Sequence, residues 1–284
     1  MTLFSDPVFL VVLIGVVMVT IAASAVGCLL YVQRNTLLGE TMAHGCLPGI
    51  YATFLLGGTR NLGWLALGAT LSGLVSSLLV DAIVARTRIH HDAAMAIVLS
   101  WMFGTGVVLL SFIQQANLSD QNGLEDLFFG NAAAMSWDDV MIISAVSAVV
   151  GVLMVVNFRR IKVYLFDAEY AQMQGVKITW VRALLSSLVA MSVAIGIQTA
   201  GAILMASLLV APAATARQWT SRLLPMVCVA LAVGVLGGTM GTVLSCASPN
   251  MPTGPWVVIS MALLFALSVA AQRVSGRFQS SQKR

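Results

Sequence analysis

Two polar residues in an otherwise apolar stretch, Glu40 and His44, have the side chains and the spacing to bind a divalent metal ion or to share a proton. They are four positions apart, so a helix through this stretch places both side chains on one face. A carboxylate oxygen and an imidazole nitrogen are common ligands of first-row divalent metals. The alternative is that Glu40 lies at the membrane interface near Arg34, while His44 is hydrogen-bonded between two helices. The spacing leaves both interpretations open.

Two further residues of the same stretch, Cys46 and Pro48, bear on this candidate site. Cys46 is a candidate third ligand with a soft sulfur, although a small cysteine in an apolar block is more often a buried packing residue. Pro48 has no N–H to donate to the carbonyl of His44, so we expect a helix break there and another at Pro212. Irregular backbone at membrane depth is tolerated where it lines a cavity. The stretch is therefore a candidate pathway for a metal ion.

A second polar group, the run from His90 to Asp92, lies close to Arg86 and Arg88. Adjacent residues do not share a helix face, so we interpret the run as a solvated loop rather than a metal site. Asp92 is then the N-cap of the helix that follows. We expect Asp81, near the end of the preceding apolar block, to pair with Arg86 or Arg88.

The composition determines which elements must position these residues. Of the 284 residues, 59% are apolar and only 9% are charged, whereas a soluble domain carries about 25% charged residues. Such a chain cannot cover a globular surface with polar groups, which excludes a soluble enzyme and a disordered chain. The basic residues are also too few and too dispersed for a nucleic-acid surface. The sequence predicts an all-α, polytopic membrane protein that forms one domain over residues 1–284 and contacts lipid.

Nine apolar blocks predict eight or nine transmembrane segments, with the second and seventh short and interrupted by proline. The blocks are Val8–Tyr31, His44–Leu56, Leu62–Val84, Ala93–Ile113, Val140–Phe158, Val181–Ala200, Ala202–Ala216, Leu223–Cys246 and Trp256–Ala271.

The basic residues predict the orientation. With the N-terminus outside and nine crossings, 14 of the 15 Lys and Arg residues fall on the inner side, and only Arg60 falls outside. Cytoplasmic loops carry such an excess of basic residues. We therefore predict an external N-terminus and a cytoplasmic C-terminus. Arg182 and Arg217 both face inward in this arrangement, so the chain must go out and return between them, with a turn near Thr199–Gly201.

The predicted cytoplasmic segment, residues 159–182, contains a short helix at about Asp167–Gln174. Asp167 is a suitable N-cap and Gly175 a suitable C-terminal stop. A short polar helix on this side suits docking to a soluble partner. It suits equally a helix that lies on the lipid headgroups, and the local sequence does not separate the two.

Several catalytic motifs are absent from the sequence. There is no GxxxxGK[ST] phosphate-binding loop, so the chain is not expected to hydrolyse ATP itself. There is also no HExxH and no GxSxG, which argues against an intramembrane hydrolase. The protein is therefore not expected to be an enzyme.

Five segments, in consistent order from about Gln33 to Trp256, resemble the permease subunits of bacterial ABC importers for zinc, manganese and iron. LGETMAHGCLPGI is similar to the family's GDALSHAVLPGI-like signature, and DAAMAI to a DxAIGI-like segment. FDAEYAQMQGV resembles its FDxExAxxxGV cytoplasmic segment, LLVAPAATAR its LLxxPAATAR segment, and PTGP its PxGP turn.

This resemblance implies a permease of the bacterial cytoplasmic membrane that works by alternating access. The implied partners are ABC ATPase subunits, an external metal-binding protein and a second permease subunit, identical or not. The implied cargo is a manganese, zinc or iron ion, with no tightly bound cofactor. Glu40, His44 and Cys46 would line the metal pathway. Residues of the cytoplasmic segment would contact the ATPase, namely Phe166, Asp167, Glu169, Ala171 and Gly175.

The sequence departs from the family pattern at three places in its signature. Glu40 replaces the usual aspartate, Ala43 replaces a serine, and Gly45-Cys46 replaces a more apolar pair. These changes bear on the choice of metal rather than on the class of transport. Two other functions stay open at this stage: a secondary metal transporter driven by an ion gradient, and a membrane scaffold or sensor without transport.

Overall fold

The computed structural model describes residues 7–57, 61–116, 130, 132, 135–246 and 252–281, and these ranges contain ten α-helices and no β-strand. The helices are α1 (Pro7–Gln33), α2 (Thr36–Gly57), α3 (Leu62–Arg86), α4 (His91–Gln115), α5 (Trp137–Phe166), α6 (Ala168–Met173), α7 (Ile178–Ala200), α8 (Ala202–Trp219), α9 (Leu223–Cys246) and α10 (Thr253–Ser281).

Seven of these helices are long and apolar enough to cross a membrane, namely α1, α3, α4, α5, α7, α9 and α10. The helical, multi-pass class predicted from composition is confirmed, and seven is close to the predicted eight or nine. The polar residues and proline of α2 lower its apolar character, and α8 ends in polar residues and has only 18 residues. The predicted turn after residue 199 is also present, since α7 ends at Ala200 and Gly201 has a positive φ of 82°.

The predicted helix breaks at Pro48 and Pro212 are wrong. Each proline lies inside a continuous helix, and α2 begins at Thr36, eight residues before the apolar block His44–Leu56. A proline removes one hydrogen bond, while the turns on either side keep theirs and the neighbouring helices hold the segment in place. Glu40 lies within the first two turns of α2, in the same helix as His44.

Helices α1 and α2 are central in the packing. Helix α1 contacts α5, α7, α8 and α9, whereas α2 contacts α3, α4, α7 and α8. The contact between α2 and α3 is very close: a Cβ atom on Gly68 would lie 2.6 Å from the carbonyl oxygen of Gly49. The two backbones can come this close because both residues, Gly49 and Gly68, lack a Cβ atom. The position of α2 against α3 therefore depends on these two glycines.

One end of the bundle collects the arginines and is here called the basic end. The ends of α1, α3 and α5 and the starts of α2, α4 and α7 meet there, because residues from all six line one cavity. Arg34, Arg86 and Arg182 belong to these helix ends. The up-and-down order agrees with the distribution of basic residues in the sequence. The side of the membrane that this end faces stays a prediction.

Candidate metal pathway and coupling segment

Glu40 and His44 lie on successive turns of α2, as their spacing predicted, and both side chains are half-buried. The carboxylate is close enough to interact electrostatically with the imidazole. An oxygen ligand and a nitrogen ligand thus share one partly open face of the helix. This face is the candidate metal pathway of the chain.

The imidazole of His44 is held by an aromatic contact. Its ring meets that of Phe103 on α4 edge-on, with centroids 5.2 Å apart and an interplanar angle of 81°. Its Nδ1 atom is buried and has no hydrogen-bond partner among the described residues. A buried polar atom left in this state costs about 1–3 kcal/mol. Among the described residues, Nδ1 therefore makes none of the interhelical hydrogen bonds that the alternative interpretation of His44 requires.

Helices α3 and α4 fix α2 from two sides. The Thr41 hydroxyl donates to the carbonyl of Leu37 at 2.9 Å and also reaches the carbonyl of Met95 on α4 at 3.4 Å. On the other side, the Ser72 hydroxyl of α3 donates to the carbonyl of Gly45 at 2.6 Å. These contacts come before and after His44 along α2. They set the rotation of the helix and hence the direction of its two candidate ligands.

Cys46 is not brought to the face that carries Glu40 and His44. The residue is fully buried, and a Cβ atom on Gly73 of α3 would lie 3.0 Å from its sulfur. Residues two positions apart lie on different sides of a helix, so this outcome follows from helical geometry. Pro48, in contrast, packs against α4, where a Cβ on Gly106 would lie 3.5 Å from its Cδ.

Glu40 and His44 alone do not complete a metal site. Among the described residues, no three His, Cys, Asp or Glu side chains come together in a way that could hold a metal ion. Transition metals in proteins usually take at least four ligands. Two ligands from one chain therefore suit weak, passing contact, or a site to which a second chain contributes.

The predicted short helix of the segment at residues 159–182 is present as α6. The Asp167 carboxylate accepts a hydrogen bond from the N–H of Tyr170 at 2.9 Å, which confirms Asp167 as the N-cap. Gly175 has a positive φ of 78°, and beyond it the N–H of Val176 donates back to the carbonyl of Ala171 at 3.0 Å. This is the glycine-dependent end expected from the sequence.

The segment presents an apolar surface at the end of the bundle. Phe166, Tyr170 and Met173 are all exposed, with Met173 reaching 86%. Ala171, in contrast, is fully buried and anchors α6 against the rest of the chain. Asp167, Glu169 and Gly175 are exposed, so the predicted contact residues divide into one anchor and an outward-facing group.

A cation–π contact connects the two helices, α5 and α7, that precede and follow α6. The guanidinium of Arg160, near the end of α5, lies 5.5 Å from the ring centroid of Trp180, in the first turn of α7. Helix α5 itself continues to Phe166, eight residues beyond the predicted apolar block, and buries Ile161 completely. The Arg160–Trp180 contact thus joins the last turns of α5 to the first turn of α7, on either side of α6.

Two expectations at the basic end are wrong. Asp81 pairs with Arg182 of α7 at 3.7 Å, not with Arg86 or Arg88, because α7 packs along α3 and brings its first turn opposite the carboxylate. Asp92 is not the N-cap of α4, since the helix already begins at His91. A contact between residues 101 positions apart has no signal in local spacing. Sequence reasoning could therefore not find Arg182.

Comparisons with known proteins agree with this architecture. The family model described as "ABC 3 transport family" matches residues 5–272. The chain belongs to the ABC 3 transport family. It is thus a multi-pass membrane permease of an ABC transport system, and its helical bundle is the membrane part expected of this family.

Individual members of the ABC 3 transport family are similar over most of the chain. The manganese transport system membrane protein MntC of Bacillus subtilis is 38% identical over 91% of this chain, which spans 59% of that protein's length. The zinc transport system membrane protein TroC of Treponema pallidum is 34% identical over 95% of this chain and 90% of its own. PsaBC from Streptococcus pneumoniae, solved in complex with Fab, has 27% identity and a TM-score of 0.83, covering 94% and 92% of the two chains.

Proposed function

We propose that this permease imports a divalent transition-metal ion, manganese, zinc or iron, across the bacterial cytoplasmic membrane. The observation that carries the proposal is the pairing of Glu40 with His44 on one half-buried face of α2. The Nδ1 atom of His44 is buried there and has no partner within the part of the chain that the structure describes. A carboxylate and an imidazole bind such ions, and an incomplete ligand set lets them leave again. The names of the manganese and zinc relatives support this class of cargo.

ATP hydrolysis by separate ATPase subunits drives alternating access in the proposed importer. ATPase subunits bind at the basic end, which faces the cytoplasm, and the α6 segment is their docking site. The exposed Phe166, Tyr170 and Met173 supply the apolar contact, and the buried Ala171 carries the movement into α5 and α7. An external metal-binding protein delivers the ion at the opposite end of the bundle.

A second permease subunit completes the proposed pathway. Two further ligands are needed beyond Glu40 and His44, and a second chain that presents the same face supplies them. Helix α4, which lies beside this face, exposes large apolar side chains such as Trp101 at 62% and Phe112 at 62%. Cover by another membrane helix or by lipid suits these side chains.

The test is metal uptake by the complete complex in proteoliposomes. Replacing both ligands, Glu40→Gln with His44→Ala, is expected to lower uptake at least tenfold while the complex still assembles. A matched control replaces two exposed polar residues at the basic end, His90→Ala with Asp92→Asn, and is expected to retain uptake. Wild-type uptake by the first double variant would remove Glu40 and His44 from the pathway. Uptake without ATP would instead indicate a gradient-driven transporter.

A further inference from the structure

A cavity of about 410 Å³, lined by both polar and apolar residues, opens at the basic end between α1, α2, α3, α4, α5 and α7. Glu40 and His44 do not line it, so it is separate from the candidate pathway. Its principal polar lining residues are Gln33, Asn35, Asp81, His91, Tyr164 and Arg182. These polar groups are able to hold water or an ion in the cavity.

In this cavity the carboxylate of Asp81 forms only a long ion pair, with Arg182. Its distance of 3.7 Å to the nearest Arg182 nitrogen is well above the roughly 2.7–2.9 Å of a charge-assisted hydrogen bond. A carboxylate accepts about four hydrogen bonds or metal contacts. Asp81 therefore retains free acceptor capacity toward the cavity, and the ion pair is weak enough to be exchanged.

His91 contributes a second independent observation. Its Nδ1 atom is buried and, among the described residues, has no hydrogen-bond partner. The flanking residues His90 and Asp92 are exposed, so His91 alone of the three turns inward. His91 is also one of the residues that line the cavity. A buried ring nitrogen that has no partner among the described residues can gain a ligand without losing a hydrogen bond.

We propose that this cavity is a second divalent-cation site, bound by Asp81 and His91. The side-chain oxygens of Asn35, Gln33 and Tyr164 are the hard ligands available to complete the shell. Manganese(II) fits this set of carboxylate, imidazole and neutral oxygen ligands. The bound cation competes with Arg182 for Asp81, because the two positive charges repel each other at one carboxylate.

A cation bound in this cavity would change the contact between α3 and the start of α7. The Asp81–Arg182 pair and, one turn deeper, the 2.8 Å hydrogen bond between Ser77 and Ser186 tie α3 to the start of α7. Helix α7 follows directly on the α6 segment. A cation on Asp81 breaks the Asp81–Arg182 ion pair. The site therefore responds to the concentration of metal on the inner side of the membrane. This step rests on the proposed function, whereas cation binding itself does not.

The binding test uses Mn²⁺ alone and the full-length permease in lipid nanodiscs, with free Mn²⁺ measured by electron paramagnetic resonance. Glu40→Gln with His44→Ala serves as the background and removes the candidate pathway ligands. Mn²⁺ binding is expected to persist in this background. Adding Asp81→Asn or His91→Ala is expected to weaken it at least tenfold, and adding Arg182→Gln to strengthen it severalfold because the competing charge is lost.

The chain supplies a matched control for each of these changes. His90→Ala, Asp92→Asn and Arg88→Gln alter exposed residues of the same types outside the cavity lining, and are expected to leave Mn²⁺ affinity unchanged. The opposite directions expected for Asp81→Asn and Arg182→Gln cannot both arise from misfolding. Equal Mn²⁺ affinity in the background and in the Asp81→Asn variant would overturn the proposal.

A second measurement tests the sensing role. Proteoliposomes of the complete complex, with the basic end facing the lumen, are preloaded with Mn²⁺ before uptake is started. Preloading is expected to slow wild-type uptake severalfold and to leave uptake by the Asp81→Asn variant unchanged. Equal slowing of both would refute sensing through this cavity. Absence of uptake in every protein would contradict the proposed function, while the Mn²⁺ titrations would still decide the binding site.

Discussion

The ring of Phe103 stands edge-on to the imidazole of His44, with 5.2 Å between the two centroids. This contact joins α4 to the face of α2 that carries the two candidate metal ligands, Glu40 and His44. An edge-to-face aromatic pair contributes about 0.5–1.5 kcal/mol beyond the area that it buries. Phe103 is thus a positioning residue for His44, and its replacement tests whether the direction of the imidazole matters for transport.

Phe103→Leu is expected to raise the KM for metal uptake severalfold without preventing assembly, because leucine keeps most of the volume but does not hold the imidazole. The measurement is the concentration dependence of uptake in proteoliposomes. Phe112→Leu is the control, since Phe112 lies on the same helix and is 62% exposed. Indistinguishable KM values for the two variants would mean that the aromatic contact does not position His44.

Gly49→Ala is expected to destabilise the protein, because its new Cβ would collide with the carbonyl oxygen of Gly68 on α3. Overpacking of this kind typically costs about 1–3 kcal/mol. Thermal unfolding of the purified permease in detergent measures the loss. Gly104→Ala is the control, since a Cβ there meets no atom within 4 Å. It is expected to be neutral or slightly stabilising, and an equal loss in both variants would contradict the close crossing of α2 and α3.

Asp167→Ala is expected to unfold α6 locally, because the Tyr170 N–H loses its acceptor. Loss of an N-cap costs about 1 kcal/mol, a large amount for a helix of six residues. ATP-driven uptake should fall severalfold, while Asp167→Asn and Asp167→Ser, which can both cap, should retain most of it. If the asparagine variant is as defective as the alanine variant, the negative charge matters rather than the cap.

Trp180→Leu is expected to loosen the base of the α6 segment, because it removes the ring that the Arg160 guanidinium faces at 5.5 Å. Such contacts contribute about 0.5–2 kcal/mol. The expected result is a higher ratio of ATP hydrolysed to metal transported in the reconstituted complex. Trp180→Phe keeps an aromatic face and should preserve the ratio. An unchanged ratio in Trp180→Leu would show that the Arg160–Trp180 contact does not contribute to coupling.

Labelling of a single cysteine tests the orientation. Met173→Cys introduces a thiol at a highly exposed position of α6, where the native side chain is 86% exposed. Cys228 and Cys246 are exposed and must first be replaced by serine, whereas Cys28 and Cys46 are buried. We expect a membrane-impermeant maleimide to label the new cysteine only in inside-out vesicles. Labelling in sealed, right-side-out cells would reverse the orientation and place the proposed ATPase docking site on the wrong side.

Local features were predictable from the sequence because their causes are local. The excess of apolar residues determines a helical membrane protein, since only a structure that satisfies its own backbone can cross lipid. The capping of α6 by Asp167 and its end at Gly175 each depend on residues within a few positions. The shared face of Glu40 and His44 follows from the period of the helix. The similarity of five ordered segments to a permease family needed no coordinates either.

Only the tertiary structure decided what those features face. The continuity of α2 through Pro48 depends on helices that pack around it, and the burial of Cys46 against Gly73 depends on the close approach of α3. The partner of Asp81 lies 101 positions along the chain, on α7. In a membrane bundle every helix has a similar apolar exterior, so composition does not specify which helices become neighbours. The packing of particular small and polar residues determines which helices are neighbours. It also brings side chains that are distant in the sequence into one site.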